Sequence, residues 1–237
     1  MEENVDMSGK NVSISERLIN CIKDEKPKPA EPSEELKGVL KEILNSQIQI
    51  SIEGKGHVLD IEPYWCELYF NAGPGLDDPF CDDNPIKSEN NRVYFRHFSY
   101  NKEAKSHRNR MDICLGKKGY QVSILLKRAK VTKVGDSSAE IDIKKDDKYS
   151  SDSFIAKAVL TALGGGESFE KGAKGLGKIT YKLLPHQHID ENDIAFAQRI
   201  RLPKGDDNPP PWFNKKYAVY NKKVYTEKLH WKRANKD

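Results

Sequence analysis

The sequence predicts an α+β fold, one domain in which helices flank an antiparallel sheet. Three observations carry this. Two stretches place apolar residues at helical spacing: Leu36, Val39, Leu40, Ile43 and Leu44, then Phe154, Ala158, Val159 and Ala162. Several short runs alternate polar and apolar residues, the period of a half-buried strand. Short glycine-containing links join neighbouring runs, which makes them hairpins.

The elements follow in order. Residues 1–32 form an N-terminal extension with one amphipathic helix. Ser13-Ile14-Ser15-Glu16 fits a capping box, and Ile14, Leu18, Ile19 and Ile22 recur at helical spacing. Pro27, Pro29 and Pro32 mark a linker, and the main domain is expected over residues 33–237. Ser33 caps the next helix, with Glu34 and Glu35 in its first turn, where the helix dipole favours them. Gln47-Ile48-Gln49-Ile50-Ser51-Ile52 alternates, turns at Gly54-Lys55-Gly56 and returns as a second strand. On that strand Leu59, Ile61 and Trp65 share one face, and Asp60, Glu62 and Tyr64 share the other. Two carboxylates and a phenol on one face are the parts of an acid/base site; they are equally the solvated face of an ordinary strand. Pro63 cannot donate to a ladder, so an edge or a bulge is expected there.

After Trp65 the alternation dissolves, and residues 71–90 read as a long loop. Residues 92–98 predict an aromatic strand, 100–110 a basic hairpin connection, and 111–115 and 121–127 two strands linked through Gly116 and Gly119. A short strand is expected at 140–143, a helix at 153–163 stopped by Gly164, and a short helix after Gly175-Leu176-Gly177-Lys178, ending at Leu184. Residues 191–197 suit a helical turn or the start of a strand, and 198–202 and 217–220 read as closing strands.

Charged residues make up 32% and hydrophobic residues 37%, so a soluble, polar protein is expected. No apolar run nears a membrane span, and the acidic first six residues predict no signal peptide. Cys21, Cys66, Cys81 and Cys114 lack Cys-x-x-Cys spacing, which argues against a zinc site or a disulfide framework. A reducing, cytoplasmic location is the simplest reading. The net charge of +4 does not by itself announce a nucleic-acid binder. Positive charge does gather at residues 102–110, 127–133 and 215–233, as solvated faces or as a phosphate-facing surface.

In this order the elements resemble one family, the alkyladenine or 3-methylpurine DNA glycosylases, over residues 33–225. Asp60-Ile61-Glu62-Pro63-Tyr64 resembles its acidic-x-Glu-x-Tyr strand. Met111-Asp112-Ile113-Cys114 and Ile124-Leu125-Leu126-Lys127-Arg128-Ala129 resemble its paired central strands. Gly175-Leu176-Gly177-Lys178-Ile179 is similar to its Gly-Pro-x-Lys-Leu helix start. Gln198-Arg199-Ile200-Arg201-Leu202, Trp212 and Tyr217-Ala218-Val219-Tyr220 resemble its C-terminal strands. The Asp78-Pro79-Phe80 loop is similar to that of a divergent bacterial branch.

The resemblance implies a curved antiparallel sheet with a protruding hairpin that wedges into the minor groove. It implies base excision repair: a monomer on double-stranded DNA flips an alkylated or deaminated purine and hydrolyses its N-glycosidic bond, with no metal or organic cofactor. Glu62 becomes the general base and Tyr64 stacks on the flipped base. The family's loop histidine is replaced here, with Cys81 nearest and His97 a substitute. Its intercalating tyrosine falls among residues 102–105, which hold no aromatic; Tyr100 and His107 are nearest. Asp112 stands where the family has Asn, and the family's arginine maps to Lys127 or Arg128. Lys102, Lys105, Arg108 and Arg110 join Tyr100, His107, Lys127 and Arg128 as expected DNA contacts. The same scaffold also suits a module that binds nucleic acid, or a small ligand, without cleavage.

Overall fold

Strand β2 (Gly56–Asn71) is the axis of the sheet. A computed structural model describes residues 12–26, 30–97, 109–133, 140–141, 152–164, 176–199, 212 and 215–223. β1 (Ser46–Ile52) feeds β2 through a turn in which Gly54 and Gly56 hold φ of 81° and 74°, a region that glycine enters without a Cβ penalty. β1 pairs with β2 only as far as Ile61, and β9 (Ala218–Asn221) takes up the same side from Trp65. β5 (Gln121–Lys133) lines the other side from Leu59 to Asn71. The β5 register shifts between Pro63 and Cys66, so Pro63 marks a bulge in a central strand and not an edge.

The remaining strands are β3 (Arg92–His97), β4 (Asn109–Cys114), β6 (Glu140–Ile141), β7 (Ile179–Pro185) and β8 (Ile194–Ala197). Every pairing is antiparallel. Going round from β5 through β4, β3, β7 and β1 to β2, the last strand pairs with the first. The curved sheet therefore closes into a six-stranded barrel, with β6 beside β5 and the β9–β8 pair beside β2. The connection expected to protrude, residues 98–108, lies outside the described residues.

Three sequence expectations are corrected. The strand does not end at Trp65 but runs to Asn71, because residues 65–70 are buried on both faces and a doubly buried strand loses its alternation. The helix expected up to Leu184 is strand β7: Ile179 and Tyr181 alternate inward and pair along β1, so register with a neighbour overrode local reading. The strand expected at 198–202 is displaced, since β8 ends at Ala197 and leaves Gln198 and Arg199 beyond it; residues 200–202 lie outside the described set.

Helix α1 (Ile14–Asp24) has the capping box at Ser13 and Glu16, and Leu18, Ile19 and Ile22 are fully buried. α2 (Glu34–Leu44) starts at its Ser33 cap and buries Leu36, Val39, Leu40, Ile43 and Leu44. α3 (Asp152–Ala162) packs on β4 and β5 and stops at Gly164, φ 82°. These helices and the apolar faces of the strands share one hydrophobic core. Just past α1, Glu25 accepts from the Ser33 N–H at 2.8 Å, from Lys215 Nζ at 2.8 Å and from the Tyr217 hydroxyl at 3.1 Å. That carboxylate ties the extension to both α2 and β9. Among the described residues no helix is long and apolar enough to cross a membrane.

Candidate functional site

β2 carries two Glu-x-Tyr pairs, one on each side of the bulge. In both, the tyrosine donates to the glutamate two residues before it, as the two-residue strand period allows. Tyr64 donates to Glu62 at 3.3 Å, and Tyr69 donates to Glu67 at 2.8 Å. The pairs lie five residues, about 16 Å, apart along the strand.

The first pair is half-exposed. Glu62 Oε1 lies 3.5 Å from His186 Nε2, and Lys130, its cross-strand neighbour on β5, lies 3.9 Å from Oε2. His188 sits edge-on to Tyr64, stacks on His186 and contacts the Pro63 carbonyl at 2.9 Å. Asp60 does not join Glu62 in a carboxylate pair; it turns to His57, 2.9 Å away.

The second pair is buried. Glu67 is fully enclosed, and Lys127 lies 3.2 Å from its Oε2 as counter-charge. Burial first, and Glu67 next, push the Tyr69 phenol well above its ordinary range, so it remains a donor. Arg199 lies 4.8 Å over the Tyr69 ring, makes a two-pronged ion pair with Asp78 and donates to the carbonyls of Leu68 and Trp212. The loop after β2 is thereby fastened over the sheet.

Asp112 of β4 and Glu67 both register on Leu125 of β5, so they flank the same strand. Above Asp112 sits the helical turn Pro85–Ser88, whose Lys87 is 3.4 Å from Asp112 and also contacts Asp82 and, at 3.8 Å, Cys81 Sγ. Asp82 additionally meets Arg96 at 2.9 Å and the Tyr94 hydroxyl at 3.4 Å. Burial pushes the Cys81 thiol up to about 12, which leaves it a protonated, weakly reactive group. Burial also raises the Asp112 carboxyl, and Lys87 offsets that only in part. Buried charges at this density are costly for a fold and characteristic of functional sites.

The sequence-predicted residues therefore divide. Lys127 joins the second pair, Asp112 and Cys81 gather at Lys87 on the far side of β5, and Arg110 acts electrostatically on both Tyr69 and Asp112. Glu62 and Tyr64 stand apart from them on β2. Of the two residues left open, Lys127 is buried on the polar face, whereas Arg128 registers opposite Trp65 at the bulge. His97 ends β3, with its side chain outside the described residues; Tyr100, Lys102, Lys105, His107 and Arg108 are outside them altogether. Sequence reading missed Glu67, Tyr69, Asp78, Lys87 and Arg199. One signal was available, the second Glu-x-Tyr spacing in Glu67-Leu68-Tyr69. Among the described residues no three His, Cys, Asp or Glu side chains are placed to hold a metal ion. No model of a known protein family matches the chain, and no curated protein matches it.

Proposed function

We propose that the chain is a DNA glycosylase of the alkyladenine type, acting in the cytoplasm as a monomer on duplex DNA that carries a damaged purine. The observation that carries this reading is the meeting of a Glu-x-Tyr strand with the two central strands. Glu67, Tyr69 and Lys127 form a buried polar group, and Asp112, across Leu125 from Glu67, lies on the same face of the sheet, beside an aromatic-bearing loop. A base inside the stack is unreachable, so the target is extruded and held by aromatic and polar groups. Phe80 and Tyr69 flank Arg199 at the edge of this cluster and provide the aromatic surface.

In the chemical step a carboxylate removes a proton from water as the water oxygen bonds to the sugar C1′. The C1′–N bond breaks, and its electron pair leaves with the purine. An alkylated, cationic purine departs neutral and needs no further proton. Glu67 is the reacting carboxylate in this reading. Glu62 is the second candidate, because it is partly exposed and gathers Tyr64, His186 and Lys130.

Glu62→Gln and Glu67→Gln decide between them. With duplexes carrying 3-methyladenine, hypoxanthine or ethenoadenine, Glu67→Gln is expected to lower abasic-site formation by about two to four orders of magnitude. Glu62→Gln leaves it near the wild-type rate. The reverse pattern moves the chemistry to Glu62. Because Glu67→Gln disturbs a buried ion pair, its melting curve accompanies the rate. Wild type that releases no base from any lesion removes the glycosylase reading and leaves a binding module.

A further inference from the structure

On the sheet face shared by Glu67 and Asp112 lie a buried hydroxyl without a partner and a carboxylate held by an ion pair but by no hydrogen bond from the described residues. Asp112 is 4% exposed and accepts no hydrogen bond from the described residues. Its nearest cation, Lys87 at 3.4 Å, directs its hydrogen bonds to Asp82 and Cys81. Arg96 is likewise engaged by Asp82. On the same face, Ser123 of β5 is fully buried and its hydroxyl has no partner. Ser123 registers between Tyr69 of β2 and Cys114 of β4, two residues along β5 from Leu125, the cross-strand partner of Asp112. Buried polar groups in folded proteins are nearly always satisfied, so exceptions call for an explanation.

A carboxylate is purely an acceptor, with two oxygens that suit two parallel donors. A hydroxyl beside it supplies one further donor or acceptor. We propose that Asp112, with Ser123 behind it, is the recognition point for a base edge bearing two adjacent N–H donors, the ring N1–H and 2-amino group of a guanine-type purine. This rests on the glycosylase reading for the site and names the base class it takes. A purine with a single ring N–H, such as hypoxanthine, fills one oxygen; ethenoadenine, whose bridge removes both donors, fills neither. Lys87, ion-paired to Asp112, keeps the local charge near neutrality, so that a neutral base edge is accepted as readily as a cationic one.

The test uses the full chain with guanosine, 7-methylguanosine, inosine and 1,N6-ethenoadenosine as probes, and binding is measured by calorimetry. The expected order is guanine-type first, inosine next and ethenoadenosine weakest, with a spread of roughly tenfold or more. Asp112→Asn replaces one acceptor with a donor, and is expected to collapse that spread while the melting temperature stays close to wild type. If Asp112→Asn lowers melting sharply, Ser123→Ala serves as the second variant; it is expected to weaken guanosine binding without moving the ethenoadenosine value. Ethenoadenosine binding as tightly as guanosine, a variant with an unchanged order, or no binding of any probe overturns the proposal. Lesion excision without a guanine preference overturns this proposal and leaves the glycosylase reading. Guanosine preference without excision of any lesion does the opposite.

Discussion

At the residue scale, two glycines show how context decides the sign of one substitution. A Cβ on Gly116 would sit 1.9 Å from the Lys87 carbonyl oxygen and 2.3 Å from that of Tyr120, both backbone atoms. That close approach lets the Pro85–Ser88 turn settle on the β4–β5 link and place Lys87 over Asp112. Gly38 lies on the exposed face of α2 with nothing within 4 Å of its Cβ position. Gly116→Ala is expected to lower unfolding stability by at least about 1–3 kcal/mol, the usual cost of overpacking. Gly38→Ala is expected to raise it by about 0.5–1 kcal/mol, because the helix loses a residue of high backbone entropy. Urea titrations of both variants read these opposite signs directly. If Gly116→Ala melts like wild type, the approach of the two backbone segments is not a constraint.

Among the elements, α1 is fastened by apolar packing and by one buried carboxylate. Burial pushes the Glu25 carboxyl up, but Lys215 and the Ser33 N–H outweigh it and hold it below the ordinary carboxylate range. A lowered folded-state value means that the contribution to stability is present above the unfolded value, near pH 4.3, and is lost as pH falls through the lower folded value. The expected outcome is an acid-side fall in melting temperature that is shallower in Glu25→Gln than in wild type below about pH 4.5. At neutral pH the variant is less stable, because Lys215 stays buried while its partner is neutral. Parallel melting curves for the two proteins down to pH 3 would remove Glu25 from the acid response.

At the scale of the whole molecule, closure decides what the parts can do. β2 is shared among β1, β5 and β9: β5 lines one side from Leu59 to Asn71, and β1 and β9 divide the other. Deleting residues 1–32 strips away Leu18, Ile19 and Ile22, each fully buried and worth about 1.5–3 kcal/mol. The shortened chain is expected to lose cooperative melting in calorimetry, since such a loss rivals the total stability of an ordinary domain. A sharp transition near the wild-type temperature would make the extension dispensable. What the sequence by itself determined was local: the caps at Ser13 and Ser33, the helical stripes, the glycine hairpin, and an irregularity at Pro63, which pairing with β5 made a bulge and not an edge. Each follows from one residue's backbone preference or from a short period of hydrophobicity. Tertiary structure decided the rest. Residues 65–70 are covered on both faces, so their strand character left no alternation to read, and β7 became a strand because β1 offered it a ladder. The buried cluster was assembled by register: Glu67, Leu125 and Asp112 are distant in sequence and become lateral neighbours only after three strands pair. The Glu62–Tyr64 pair was legible because its two members lie two residues apart on an alternating strand, whereas its neighbours Lys130 and His186 come from β5 and the segment after β7. The Glu67–Tyr69 pair showed in sequence only as a repeated Glu-x-Tyr spacing; its burial and its partners Lys127 and Arg199 come from strand pairing and loop closure, which no local period encodes.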